Sequence, residues 1–174
     1  MRKILKMAPL VSKLDPKKFG PKLIYQVTVN CAFAEVMREC AHKRGKGREN
    51  TWIQPKFISS YGELHQQGYA QSVEVWNVGG RLVGGVYGVT IGKIFFGESM
   101  FSHEPNASKI ALIRLCERLV QKRYLLLDGQ VSSPHLLSMG AKEISRDLFL
   151  EYLKKGETEL KKSGEILTIK TSTH

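Results

Sequence analysis

SVEVWNVGGRLVGGVYGVTIGKIFFGESM, residues 72–100, decides the architecture. Ser72–Trp76 and Leu82–Val89 are short runs rich in β-branched and aromatic residues, and Asn77-Val78-Gly79-Gly80 between them suits a hairpin connection. A third strand, Lys93–Phe96, follows the turn at Gly92 and leads into Gly97-Glu98-Ser99-Met100. Downstream, Ile110, Ala111, Leu112, Leu115, Leu119 and Val120 recur at helical spacing, which predicts a helix over Ala107–Gln121 capped by Asn106. Tyr124–Leu127 is a continuous apolar run, as in a strand buried on both faces, and Asp128 stands at its end. Upstream, Leu23–Val29 fits a first strand, and Asn30 is placed to cap a helix carrying Ala32, Phe33, Val36, Met37 and Ala41. Thr51 or Gln54 opens a second helix, with Phe57, Ile58, Tyr61 and Leu64 on one face and Gly68 as its stop. After Asp128 come a helical turn near Pro134–Met139 and a last helix from Ser145 to Leu153 or Lys154.

A strand meander, a long helix and then a buried strand ending in a carboxylate predict an α+β sheet with helices on both faces. Three segments follow from this: a basic N-terminal arm over 1–22, irregular and broken by prolines, one domain over 23–156, and a polar C-terminal tail over 157–174, with an edge strand expected at Ile166–Ile169. The 174 residues carry a formal net charge of +11, and residues 1–50 hold twelve Lys/Arg against four acids. Such an excess attracts a polyanion, RNA above all, through phosphate neutralisation and counterion release, although a solubilising surface has the same composition. Cys31, Cys40 and Cys116 have no metal-ligand spacing and sit among apolar residues, where small buried thiols suit a reducing cytosol. No apolar run reaches the roughly 20 residues of a membrane span, and the start MRKILKMAPLVSKLD is a poor signal peptide.

Polar residues that interrupt buried stretches mark the candidate chemistry. Gly84-Gly85 inside a strand signals a bulge or a close approach of backbone to a ligand. Glu98 lies among aromatic and Met residues, where a carboxylate has to be paired, hydrogen-bonded or used on a cationic ligand. Asp128 at a strand's carboxyl end falls where open α/β sheets keep their ligand crevice, and Gln130, two residues on, can share its direction if the strand continues. The histidines lack HExxH spacing, and there is no GxSxG elbow, Walker loop or GxGxxG turn, so no metal site, cofactor or enzyme nucleophile is expected.

Thr51-Trp52-Ile53, YGELHQQGYAQSVEVW (Tyr61–Trp76), LVGGVYGV (Leu82–Val89), GESMFSHEPNASK (Gly97–Lys109), LLLDGQV (Leu125–Val131) and HLLSMGAKEISR (His135–Arg146) occur in that order. From Thr51 to Leu153 the chain thereby resembles the leucyl/phenylalanyl-tRNA–protein transferases. The resemblance implies a GNAT-like acyltransferase fold with a mixed central sheet flanked by helices. It implies a cytoplasmic enzyme that moves Leu, Phe or Met from aminoacyl-tRNA to the α-amine of proteins beginning with Arg or Lys, feeding N-end-rule degradation.

Carried over position by position, the resemblance makes Asp128 and Gln130 the pair acting at the reacting amine, and Glu98 the partner of the basic acceptor residue. It places Val86, Phe95, Leu112, Leu115 and Leu127 around the aminoacyl side chain and Trp52 against the terminal adenosine of tRNA. The basic loop residues Lys43, Arg44, Lys46 and Arg48 are expected to meet tRNA phosphates. Members of this family usually carry a further N-terminal domain with a Gly-rich stretch and a Trp-Trp-Ser-Pro segment, neither motif occurs in these 174 residues, and the resemblance is therefore expected to be that of an N-terminally shortened member. Gly129 and Ser132-Ser133-Pro134 also depart from the family pattern. Two other readings stay open: a non-catalytic tRNA- or peptide-binding remnant, and a GNAT acetyltransferase. The second is disfavoured because no Gln/Arg-x-x-Gly-x-Gly/Ala loop precedes the Asn106 helix.

Overall fold

The structure, a computed structural model, describes residues 4–6, 25–42 and 52–162. In chain order these form β1 (Ile4–Lys6), β2 (Gln26–Val29), α1 (Phe33–Ala41), α2 (Pro55–Gln66), β3 (Ala70–Trp76), β4 (Leu82–Ile91), β5 (Ile94–Ser102), α3 (Ala107–Gln121), β6 (Leu126–Asp128), α4 (Pro134–Ser138), β7 (Lys142–Ile144) and α5 (Arg146–Lys162). Strands β2 to β6 make one five-stranded sheet in chain order, antiparallel except for the parallel β5–β6 pair. This is the α+β arrangement expected: a mixed sheet flanked by helices.

The parallel pair is short. β5 and β6 are in register only from Ile94–Leu126 to Phe96–Asp128. Beyond that point β6 ends, while β5 runs on beside β4 to Ser102, so the strands part at Gly97 and open a crevice. One sheet face packs on α3, with Val73, Val75, Val86 and Phe95 against Ala111, Leu112 and Leu115. The other face packs on α1, where Phe33, Val36 and Met37 join Tyr87 and Phe101, with Ile58, Tyr61 and Leu64 of α2 half-buried beside them. Lower down, Ile94 and Leu126 are covered by Phe149, Tyr152 and Leu153 of α5.

The glycine pair in β4 serves packing between elements. A Cβ on Gly84 would lie 2.6 Å from the Ala107 side chain and 2.7 Å from its carbonyl carbon, so this glycine lets the first turn of α3 press onto the sheet. A bulge does occur next to it: Val75 pairs with Gly84 and Trp76 with Leu82, which leaves Val83 as the extra residue. Across the β2–β3 pair, the fully buried Glu74 accepts the Thr28 hydroxyl at 2.6 Å and the Ser72 hydroxyl, and Trp76 Nε1 donates to Thr28 Oγ1 at 2.8 Å. These donors compensate the loss of water around a buried carboxylate.

Several local expectations differ from the structure. Asn30 does not cap α1: it adopts φ 60, its side chain accepts the Ser72 N–H at 2.9 Å, and α1 starts at Phe33. That left-handed turn takes the chain off the sheet edge, which leaves Cys31 exposed instead of buried, while Cys116 is buried as expected. Asn106 stands at the start of α3 but makes no capping bond, because Ser102 Oγ accepts the Ser108 N–H at 3.1 Å instead. Within the stretch expected to be an irregular arm, β1 pairs antiparallel with β7. The last helix does not stop at Leu153 or Lys154 but runs through Gly156 to Lys162, into the stretch expected to be a tail. Gly156 is buried against the β4–β5 turn, where an added Cβ would lie 3.2 Å from the Lys93 nitrogen. The edge strand expected at Ile166–Ile169 lies outside the described residues.

Candidate active site

The crevice between β5 and β6 is built from an irregularity in β5. Tyr87 pairs with Ser99 and Gly88 with Gly97, so Glu98 is the extra residue of a β-bulge. Gly88 permits this local fold, because a Cβ there would run into the Phe96 carbonyl oxygen and approach the Phe95 ring to 2.5 Å. Across the gap, Asp128 closes β6 and is 6 % exposed. Its Oδ1 accepts the Gln130 backbone N–H at 2.7 Å, a turn that sets Gln130 at φ 60. Gln130 has therefore left the strand, and the alternation expected of Asp128 and Gln130 does not hold. The turn still delivers the Gln130 side chain to the crevice, where Nε2 donates to the Gly97 carbonyl at 3.3 Å and the amide is close enough to Glu98 to favour its charged form.

Glu98 is the electrostatic centre of the arrangement. Burial pushes its pKa up, the polar groups of Gln130 and Tyr61 pull it back, and the nearby Asp128 charge pushes it up further, with a net upward shift. Tyr61 is a site residue that the sequence pattern does not reveal. Burial raises the pKa of its phenol, and the nearby Glu98 carboxylate raises it further. On α2 it repeats at helical spacing with Phe57 and Leu64, so its ring reads as packing and its hydroxyl goes unnoticed. Tyr87 meets Tyr61 edge-on at 5.8 Å, and among the described residues its own buried hydroxyl has no hydrogen-bond partner. Trp52, 47 % exposed, leans on Tyr61 at 6.4 Å and on Phe57 at 5.9 Å, so an open indole stands beside the tyrosine that neighbours Glu98.

The five apolar candidates are also gathered. Val86, Phe95, Leu112, Leu115 and Leu127 lie in one cluster between the sheet and α3, each no more than 5 % exposed. Phe95 and Leu127 are cross-strand partners at the base of the crevice. Lys43, Arg44, Lys46 and Arg48 lie outside the described residues. Among the described residues no group of three or more His, Cys, Asp or Glu could hold a metal ion. Two carboxylates and an amide at a strand splay, above an apolar cluster, suit a cationic amine next to an apolar side chain.

Residues 5–154 match the family described as leucyl/phenylalanyl-tRNA protein transferase. The chain belongs to that family. Relatives of that name include the Syntrophobacter fumaroxidans protein, 45% identical over 152 residues that cover 87% of this chain and 64% of the relative. The Nitrosomonas eutropha transferase is 53% identical over 75% of this chain and 55% of its own length, and that of Cellvibrio japonicus 54% identical over 76% and 55%. The chain thus spans roughly half to two thirds of these transferases. A crystal structure of a conserved protein of unknown function from Bacteroides thetaiotaomicron has the same fold, with TM-score 0.52 and 12% identity over 87% of this chain and 54% of that one.

Proposed function

We propose that this domain transfers Leu, Phe or Met from aminoacyl-tRNA to the α-amine of proteins beginning with Arg or Lys, in the cytoplasm, as a step toward N-end-rule degradation. The observation that carries the reading is the meeting of Asp128, Gln130 and Glu98 where β5 and β6 part. Family membership supplies the class of reaction. The aminoacyl ester is already activated, so the acceptor amine attacks its carbonyl carbon without an enzyme nucleophile. A protein α-amine has a pKa of roughly 7.7–8.0, so an appreciable fraction is neutral at cellular pH. Asp128 orients that amine and receives its proton, and the 3′ oxygen of the tRNA leaves with the electron pair of the broken ester bond. Gln130 ties Asp128 to Glu98, whose carboxylate faces the basic side chain of the acceptor.

Val86, Phe95, Leu112, Leu115 and Leu127 receive the aminoacyl side chain in this reading, with Met100, half-buried against the same cluster, as the adaptable wall. Since one methylene discriminates by only about 1–3 kcal/mol in an apolar pocket, Leu, Phe and Met overlap as donors while Asp and Gly fail. Trp52 stacks on the terminal adenosine, and Lys43, Arg44, Lys46 and Arg48 meet phosphates. The test is incubation with labelled Leu-tRNA or Phe-tRNA and an Arg-initiated peptide. Label on the peptide supports the proposal. Binding of both substrates without turnover would make the domain a tRNA- and peptide-binding module, and label passed only from acetyl-CoA would make it an acetyltransferase.

A further inference from the structure

A second polar cavity, of about 420 Å³, opens at the other end of the β5–β6 pair and has no part in the reaction described above. Its walls are Asn30 at the end of β2, Gln71 of β3, Lys93 before β5, Arg118 and Lys122 at the end of α3, and Tyr124 before β6. Lys93 precedes Glu98 by five positions along β5, about 17 Å of extended chain, so the cavity is remote from the crevice. Among the described residues no Asp or Glu lines it. The neighbouring acid on α3, Glu117, is engaged by Arg114 at 2.9 Å.

Two features set these cations apart from a solvated surface. Arg118 and Lys122 stand four apart on one face of α3, so both reach the same cavity. Among the described residues the buried Nε–H of Arg118 has no acceptor, and a buried donor without a partner calls for an explanation. Lys93 Nζ lies 5.8 Å from the Tyr124 ring and adds a third positive group to the wall. The Asn30 side chain already accepts from Ser72, which leaves its amide donors for other use.

We propose that this cavity binds a phosphate-class anion, with Arg118 as the fixed donor and Lys122 as the mobile one. The group is either a backbone phosphate of bound RNA or a free phosphate compound; the RNA alternative alone rests on the function proposed above. Planar guanidinium donors and ammonium charges are the usual recognition of such groups.

Inorganic pyrophosphate is titrated into the full chain at constant ionic strength, with binding read by calorimetry. tRNA affinity is measured separately against salt concentration. Both are repeated for Arg118→Gln/Lys122→Gln and for the exposed single change Lys122→Gln, which keeps the test valid if the double variant does not fold. The proposal expects saturable pyrophosphate binding weakened about tenfold or more in the double variant, or a tRNA salt slope lower by about one per removed cation. The first result alone identifies a free anion as the ligand, and the second identifies RNA. Wild-type and variant chains alike in both measurements would overturn the proposal. Neither readout depends on aminoacyl transfer, so failure here is distinct from failure of the proposed enzyme activity.

Discussion

Glu98 sits between opposing influences: burial and Asp128 disfavour its charge, while Gln130 and Tyr61 favour it. The net shift is upward from 4.5, so the folded chain holds this proton more tightly than the unfolded chain does. The stabilisation from that proton is complete below the unfolded pKa and is lost as pH rises through the folded one. Glu98→Gln is therefore expected to melt higher than wild type near pH 7, with the difference closing toward about pH 4; a variant that melts lower at neutral pH contradicts the shift. The proposed reaction has the opposite preference, because a cationic acceptor would require the carboxylate. For Arg- and Lys-initiated peptides KM should fall as pH rises through the raised pKa. Glu98→Gln should remove that dependence and cost these acceptors about 2–5 kcal/mol, roughly 30-fold or more in kcat/KM. Equal losses for Ala-initiated peptides would remove the specificity role. At this scale Glu98, Asp128 and Gln130 were legible as polar interruptions of apolar runs. Tyr61 was not, because one hydroxyl on an amphipathic helix face leaves no trace in the hydrophobic pattern.

The elements that position these residues depend on close backbone packing that only glycine allows. Gly88→Ala would force the Phe96 carbonyl and the Phe95 ring apart. The expected cost is about 1–3 kcal/mol of stability, together with a raised acceptor KM as the Glu98 bulge shifts. A variant with native melting temperature and native KM would show that the bulge tolerates a side chain. Leu115→Ala, which truncates a residue 1 % exposed in the α3 cluster, should cost about 2–5 kcal/mol in denaturant unfolding. Strands β2 to β5 and the three longest helices were readable from periodicity and β-branched composition, and β6, only three residues long, from the continuous apolar run that leads into Asp128. β1 and β7 were not, since three residues apiece give no period and Lys142 and Glu143 look like loop. Helix α5 outruns its expected end at Leu153 or Lys154 by passing through Gly156, although glycine costs about 1 kcal/mol inside a helix relative to alanine. The packing of Gly156 against the Gly92–Lys93 turn is tertiary and invisible in the local sequence.

For the whole molecule, the net charge of +11 is the feature that composition alone made plain. Among the described residues no helix is long and apolar enough to cross a membrane. Binding of aminoacyl-tRNA should weaken steeply with salt as phosphate counterions are released. Replacing Lys43, Arg44, Lys46 and Arg48 together by Ala should flatten that slope by about one for each phosphate no longer neutralised and leave the preference for Leu, Phe and Met unchanged. An unchanged slope would reduce that loop to a solubilising role. Because the chain spans 64% and 55% of the relatives it matches, activity of this length of chain is itself the central claim. Its most direct test is the single-turnover rate of Leu transfer from Leu-tRNA to an Arg-initiated peptide, for wild type and for Asp128→Asn, with tRNA affinity measured in parallel. The account predicts turnover by the wild-type chain and a rate about 100-fold lower or worse in the variant at unchanged tRNA affinity. No transfer by the wild-type chain, or equal rates in the two, would contradict it.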